Sequence, residues 1–426
     1  MQILRGTKDI LNDEIIFWRH IYDTALKVCS LYNYHEIQTP ILELTSLFTR
    51  SIGNDTDIVN KEMYSFTDQG QRNITLRPEG TASIARSFIT NKLYINNSSN
   101  KFWYLGPMFR YERPQSGRQR QFHQLGVECL GSAEPIADAE VIRIATKILH
   151  QLKLTNYKLE INSIGNLEER QQYQLELLMY LEKYKNDLDQ DSQKRLENNP
   201  LRILDSKYAK TQEILQQAPI LRMYLGKESK HHFDTLCDYL NSMNIKYNIN
   251  EKLVRGLDYY NYTAFEIKCN ELGSQDTVCG GGRYDYLIKS LGGPDTASVG
   301  WAMGIERLLL IINNRFQPIQ IKPDIYIATK GMEAKLNIWP TLNLLEENNI
   351  PFELDLQNNS FQKQLKRANK LGLSICLLIG EDEIRNNNIT IKYLKERKQK
   401  IISLNELIQE IQKYSKTYQQ TLTIHR

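Results

Sequence analysis

Four arginines crowd the stretch from Arg110 to Arg120, at Arg110, Arg113, Arg118 and Arg120, and just beyond them runs Phe122-His123-Gln124-Leu125-Gly126-Val127-Glu128. Guanidinium groups so close together repel one another unless an anion sits among them, and phosphate suits their planar forks. In the segment that follows, period-two alternation puts Phe122, Gln124, Gly126 and Glu128 on one face of a strand. Gly126 leaves a gap between two polar side chains, a floor on which a small ligand could lie. An exposed sheet face is the plainer reading of the same alternation; the arginines next door tip the balance toward a phosphate-bearing substrate. No Gly-x-x-x-x-Gly-Lys-Ser/Thr loop occurs, and Gly280-Gly281-Gly282 does not fit the dinucleotide fingerprint. Arginines carried on strands must therefore do the binding.

The elements that position these residues can be read from periodicity. Phe17, Ile21, Ala25 and Val28 predict a helix from Asn12 to Leu31, followed by a strand over Ile37 to Pro40. Pro40 cannot donate to a ladder, which places it at an edge, a bulge or a chain crossing. Short strands at Met63 to Phe66 and Ile74 to Arg77 flank Asp68-Gln69-Gly70, where Gly70 is available for positive φ. Lys101 to Met108 and the strand from Phe122 make a long hairpin with a basic tip. Between Asn166 and Asn250 the text turns charged and helix-forming, as in Leu167-Glu168-Glu169-Arg170, which predicts a helical insertion. Strands return at Thr263 to Cys269 and Thr277 to Gly282, and Gly304 to Ile312 reads as a helix. After Asn313-Asn314-Arg315 and a proline-marked stretch to Pro323, apolar runs at Ile325 to Ala328, Phe352 to Leu354 and Ile375 to Ile379 alternate with helices, the pattern of a small α/β domain.

A chain of 426 residues with 41% hydrophobic content predicts several domains. Its 54 basic and 50 acidic residues leave a formal charge of +4, so nucleic-acid affinity must come from local patches. Apolar runs such as Leu308 to Ile312 fall far short of the ~20 residues of a membrane span, which predicts a soluble protein with no membrane partner. Six scattered cysteines lack a Cys-x-x-Cys pair, pointing to a reducing compartment. The start, Met1-Gln2-Ile3-Leu4-Arg5-Gly6, has neither leader nor transit character. Free use of Asn, Ile, Lys and Tyr hints at an AT-rich coding sequence.

Phe109-Arg110-Tyr111-Glu112, the arginine loop and the closing strand resemble motif 2 of class II aminoacyl-tRNA synthetases, and Gly300-Trp301-Ala302-Met303-Gly304-Ile305-Glu306-Arg307 resembles motif 3. Tyr34 to Glu43, with Pro40, resembles motif 1. Leu253-Val254-Arg255-Gly256-Leu257-Asp258-Tyr259-Tyr260 and Gly281-Gly282-Arg283-Tyr284-Asp285 resemble the two stretches typical of histidyl-tRNA synthetases; Leu76 to Thr81 and Gln121 to Gly126 fit the same family. The resemblance implies an α+β fold: a class II antiparallel sheet with flanking helices, a helical insertion and a C-terminal α/β anticodon-binding domain. It implies boundaries at 1–165 (motifs 1 and 2), 166–250 (insertion), 251–320 (histidine motif and motif 3) and 321–426. The implied activity is activation of histidine by ATP to histidyl-adenylate and pyrophosphate, then transfer to the 3′ end of tRNA(His). Mg2+ is expected with ATP, without a dedicated protein metal cage; motif 1 implies a homodimer, and the family type implies a bacterial cytoplasm or a plastid stroma.

Residue roles follow from the same resemblance. Arg110 matches the arginine on the α-phosphate, Arg118 and Arg307 those on the outer phosphates; Glu112 lies near adenine and Phe122 stacks on it. Arg255 matches the arginine that bridges the histidine carboxylate and the α-phosphate, where relatives use a metal; an ion pair with Asp258 is the plainer reading. Glu79, Thr81 and Gln124 match acceptors for the substrate ammonium, although Glu79 could simply be a helix N-terminal carboxylate. Glu128 and Tyr260 match the imidazole partners, with Tyr284 nearby, while a structural Glu128 would pair with one of the arginines. Arg113, Gln115 and Arg120 resemble the loop that meets the tRNA acceptor end. Lys363, Lys366, Arg367 and Lys370 form one basic helix face opposite Phe361, Leu365 and Ala368; a solvated face is the plain reading, and the anticodon-domain resemblance makes it a tRNA surface. Two alternatives stand beside this reading: a non-enzymatic paralogue, such as a regulatory subunit of ATP phosphoribosyltransferase or the sensor region of a kinase, and a class II synthetase for another amino acid.

Overall fold

Alternation along the strands decides the layers. The computed structural model describes all residues except 12, 54–55, 96–99, 116, 314, 316–322 and 415–426, with 13, 197–198 and 273–275 described by backbone alone. The chain divides into two compact units, Met1–Pro318 and Ile319–Arg426. Asn12, the expected start of the first helix, and most of the proline-marked stretch before Pro323 lie outside the described residues.

The strands of the larger unit are β1 (His35–Glu36), β2 (Leu42–Leu44), β3 (Tyr64–Thr67), β4 (Asn73–Leu76), β5 (Asn100–Phe109), β6 (Gln121–Leu130), β7 (Lys158–Ser163), β8 (Asn248–Ile249), β9 (Asn261–Lys268), β10 (Thr277–Arg283) and β11 (Ser298–Gly304). Eight of them form one sheet in the order β1-β5-β6-β11-β10-β9-β7-β8, parallel only at its two edges. Pro40 follows the edge strand β1, where no ladder hydrogen bond is lost. Because β11 returns to lie between β6 and β10, residues far apart in sequence stand opposite one another: Glu128 faces Gly300, Gly126 faces Ala302, Ala302 faces Gly280, and Gly280 faces Glu266.

One face of this sheet is apolar and the other carries small and polar residues. Leu125, Val127, Phe265, Ile267, Trp301 and Met303 point together into a core shared with the helices Asp13–Leu31, Pro135–Gln151, Lys227–Ser242 and Ile305–Ile312. Burying each such side chain contributes about 1.5–3 kcal/mol. Trp301 brings a polar atom into this core, and its indole N–H donates to the Val141 carbonyl at 2.8 Å. The residues that alternate with these are small at Gly126, Ala264, Gly300, Ala302 and Gly304 and polar at Gln124, Glu128 and Glu266, so the opposite face has room and partners for a ligand.

The segment between β7 and β8 is helical, as its charged sequence predicts, with helices Leu167–Glu182, Gln190–Asn198, Ala209–Ile214 and Lys227–Ser242. The first opens with a reciprocal cap: Asn166 accepts from the Glu169 N–H at 2.9 Å, and Glu169 accepts from the Asn166 N–H at 3.0 Å.

β2, β4 and β3 form a separate antiparallel sheet. Its turn differs from expectation. Gln71, not Gly70, takes the left-handed conformation at φ 59°, because the Asp68 carboxylate accepts from the Arg72 N–H at 2.8 Å and draws the chain closed there.

In the smaller unit, β12 (Ile325–Thr329), β13 (Phe352–Leu354), β14 (Ile375–Ile379), β15 (Asn388–Tyr393) and β16 (Lys398–Ser403) pair in the order β13-β12-β14-β15-β16, the first three parallel and the last two antiparallel additions. β15 and β16 were not among the expected runs; β16 is exposed and lysine-rich at its start, so it lacks an apolar signal. The helix Phe361–Lys370 packs Phe361, Leu365 and Ala368 against Tyr326 and Cys376, leaving Lys363, Lys366, Arg367 and Lys370 exposed.

Candidate active site

The polar face of the eight-stranded sheet opens into a cavity of about 200 Å3, whose lining includes Glu79, Arg110, Phe122, Gln124, Arg255 and Arg307. Two glycines make room there for functional side chains. A Cβ on Gly300 would overlap the Glu128 carboxylate, and one on Gly280 would overlap the Arg255 guanidinium. The gap expected at Gly126 is instead filled from the neighbouring strand β5 by the ring of Tyr104, which lies where a Cβ on Gly126 or Gly80 would fall.

At one end of the cavity the acids are buried. Glu128, fully inaccessible and, like Tyr284, behind the cavity lining, accepts from the Thr81 hydroxyl at 2.6 Å and from the Tyr284 hydroxyl. Its partners are these hydroxyls, not an arginine. Burial pushes its carboxyl up to about 8, against the pull of both hydroxyls, with the Glu79 charge adding to the rise. Glu79 accepts from the Thr81 and Ala82 N–H groups, each at 2.7 Å, at the start of the helix Thr81–Thr90. That is the capping role foreseen as its plainer reading, and the same carboxylate lines the cavity. Burial raises its pKa, and the two N–H groups and Arg110 restrain the rise. Tyr259, Tyr260 and Tyr284 gather beside Glu128, with ring centroids 4.7 Å (Tyr259–Tyr260) and 5.6 Å (Tyr259–Tyr284) apart. The buried Tyr104 hydroxyl and Gln124 Oε1 have no hydrogen-bond partner, as expected of groups that await one.

The other end is cationic. Arg110 donates from Nε to the Pro78 carbonyl at 2.9 Å and lies 5.2 Å from the centre of the Phe122 ring. Arg307 donates to the Thr277 carbonyl at 2.6 Å; burial, with Arg118 nearby, lowers its pKa. The loop supplies its own carboxylate: Glu112 sits 3.0 Å from Arg118 and 3.9 Å from Arg110. The premise that these arginines lack an anionic partner is thereby corrected, and any anionic ligand must compete with or reorganise that pairing.

Between the two ends, Arg255 is ion-paired with Glu266, whose second oxygen accepts from the Thr277 hydroxyl at 3.1 Å. The plainer pairing expected with Asp258 forms with Glu266 instead, and Asp258 accepts from Asn199 at 3.1 Å. Arg255 also lies 5.6 Å from the centre of the Tyr260 ring, and its Nε has no partner.

The three residues expected at the tRNA acceptor end do not line the cavity. Arg113 and Gln115 are exposed, Gln115 exchanges backbone hydrogen bonds with Arg118 at 3.2 and 2.9 Å, and Arg120 stacks 3.8 Å over the Tyr111 ring. Lys363, Lys366, Arg367 and Lys370 belong to the smaller unit, where Arg367 stands 3.7 Å from Glu353.

Sequence reasoning missed Glu266, Thr277, Tyr104 and Tyr259. Tyr259 stood inside a motif already singled out. The others depend on strand order: only the pairing of β9 with β10 puts Glu266 opposite Gly280.

Residues 6–308 match the family model described as histidyl-tRNA synthetase, and residues 324–414 match the one described as anticodon binding domain. The chain is 62% identical to a chloroplastic histidine–tRNA ligase of Gracilaria tenuistipitata var. liui, covering 97% of this chain and 98% of that one. It is 51% identical to a histidine–tRNA ligase of a Cyanothece species, over 96% and 95% respectively. Among solved structures, apo histidyl-tRNA synthetase of S. aureus is similar with a TM-score of 0.78 at 37% identity, covering 96% of this chain and 99% of that one.

Proposed function

Because the chain belongs to the histidyl-tRNA synthetase family, activating histidine with ATP and transferring it to tRNA, we propose that the cavity over β6, β10 and β11 is where both steps occur. The observation that carries this is the polarity of the cavity, with buried acceptors at one end, three arginines at the other and Arg255 between them.

Histidine lies with its imidazole between Glu128 and Tyr260, beside Tyr284. Its ammonium is met by Glu79, Thr81 and Gln124, and its carboxylate points to Arg255. A carboxylate oxygen attacks the α-phosphorus of MgATP in line, and pyrophosphate leaves. Negative charge grows on the α-phosphoryl oxygens, where Arg110 and Arg255 are fixed in advance, so the cost of orienting charge is met before the reaction begins. Arg118 and Arg307 hold the departing phosphates; Phe122 stacks on adenine and Glu112 lies at its edge. Mg2+ enters as part of the nucleotide substrate. The imidazole site discriminates because an analogue lacking the ring N–H forfeits a hydrogen bond to a buried carboxyl that otherwise meets only the Thr81 and Tyr284 hydroxyls.

In the second step a ribose hydroxyl of the tRNA 3′ end displaces AMP from the mixed anhydride, forming the ester. Arg113, Gln115 and Arg120 meet the acceptor end, and Lys363, Lys366, Arg367 and Lys370 contact the stem near the anticodon through phosphates. These roles divide the chain into catalytic parts 1–165 and 251–320, a helical insertion 166–250 and an anticodon-binding unit 321–426.

The working form is a homodimer. β2, β3 and β4 turn Leu42, Leu44 and Phe66 to one face, and each is about half exposed in the single chain, with relative exposures of 48%, 53% and 50%. An apolar sheet face of this kind is covered by a second copy. The six cysteines are all unbridged, which fits a reducing plastid stroma or bacterial cytoplasm. Histidine-dependent exchange of pyrophosphate into ATP tests the central assignment, since it reports activation without tRNA.

A further inference from the structure

The helical insertion shares its core with the histidine site. Tyr173, Leu177 and Leu181 of the helix Leu167–Glu182 fall in one apolar cluster with Tyr259, Tyr260 and Tyr284. Polar contacts cross the same boundary and converge on the loop that carries Arg255. Arg170 donates from one terminal nitrogen to the carbonyl of Asp258 at 3.2 Å and of Tyr260 at 2.6 Å. Asn199 donates to the Asp258 carboxylate at 3.1 Å, and Arg202 donates to the Gly256 carbonyl.

Arg170 is the best placed of the three because its own anchor is fixed. It follows Glu169, which closes the helix cap with Asn166 and also accepts from the Gly226 N–H at 2.7 Å and the Ser229 hydroxyl at 2.6 Å. Two insertion helices therefore meet at Glu169, and the next side chain reaches the carbonyls on either side of Tyr259. A carbonyl left without a donor in a buried loop turns to find another, and the side chains of that loop turn with it.

We propose that Arg170 is a positioning residue for histidine activation: by holding the Asp258 and Tyr260 carbonyls it sets the backbone from which Arg255 and Tyr260 address the substrate. This rests on the cavity assignment above. It makes the insertion part of the amino-acid site's architecture, beyond any contact with tRNA.

The test compares Arg170→Ala, Arg170→Gln and Arg170→Lys with the wild-type chain in histidine-dependent pyrophosphate exchange at saturating histidine and ATP, with rates expressed per active site counted by the adenylate burst. Neither the glutamine nor the alanine side chain is long enough to reach both carbonyls, so Ala and Gln should lower kcat by about tenfold to a hundredfold. Lys should restore part of it. Amide hydrogen exchange should rise over 253–260 and stay unchanged over 171–182, and Gln171→Ala, exposed on the same helix, should behave as wild type. If Arg170→Ala does not fold, Arg170→Gln carries the test. Wild-type kcat per active site in a folded Ala or Gln variant overturns the proposal. A wild-type chain that fails to exchange with histidine instead overturns the cavity assignment, so the two failures are distinguishable.

Discussion

Arg255 is held by Glu266 across the clearance that Gly280 leaves on the open face of the sheet. Such an arrangement fixes a guanidinium before substrate arrives, and it ties the central cation of the site to a strand three positions away in the sheet from β6.

The first prediction concerns that cation. With both substrates saturating, Arg255→Ala should slow single-turnover adenylate formation a hundredfold or more, since losing one preorganised contact to a developing oxyanion costs about 3 kcal/mol. Arg255→Lys should recover little, because an ammonium lacks two planar donors. Gly280→Ala should produce a similar loss with little change in thermal midpoint, as its added methyl meets only the movable end of Arg255. A wild-type rate with raised substrate constants would make Arg255 a binding group only.

Glu128 offers a pH test. Burial raises its pKa from an ordinary 4.5 to about 8. The folded chain therefore keeps a proton that the unfolded chain has lost, and native stability falls as pH rises from about 4.5 through about 8. Glu128→Gln removes this titration, so the thermal midpoint of the unliganded variant should decline less steeply over that window than that of the wild type. Equal slopes in paired melting series would show that Glu128 is ionised in the free protein.

For assembly, Phe66→Glu should convert the dimer to a monomer in sedimentation velocity and depress activation with it, because a charge in the centre of a buried apolar face is left unpaired. The rest of the chain should stay folded, since Phe66 is about half exposed in the single chain. A variant that still sediments as a dimer would move the interface elsewhere.

Much of the site was legible because it is local. Arg110, Arg118, Phe122, Gln124 and Glu128 lie on one hairpin, and alternation alone put the last three on one face. Arg255 and Tyr260 came from a contiguous motif. What stayed hidden depends on which strands become neighbours: Glu266 reaches Arg255 only through the β9–β10 register, and Thr81 and Tyr284 meet at Glu128 from different elements. The insertion was readable as helical from composition, but nothing in its charged pattern marks Arg170 as the residue that turns inward. The strand β16 was invisible for the opposite reason, since an exposed edge needs no apolar alternation.

The central claim is histidine activation in this cavity, and the most direct measurement is exchange of labelled pyrophosphate into ATP with each of the common amino acids in turn. Histidine alone should sustain exchange, and Glu128→Gln should abolish that preference or the activity itself. Exchange supported by a different amino acid, or no exchange with histidine by a folded chain supplied with MgATP, would contradict the account.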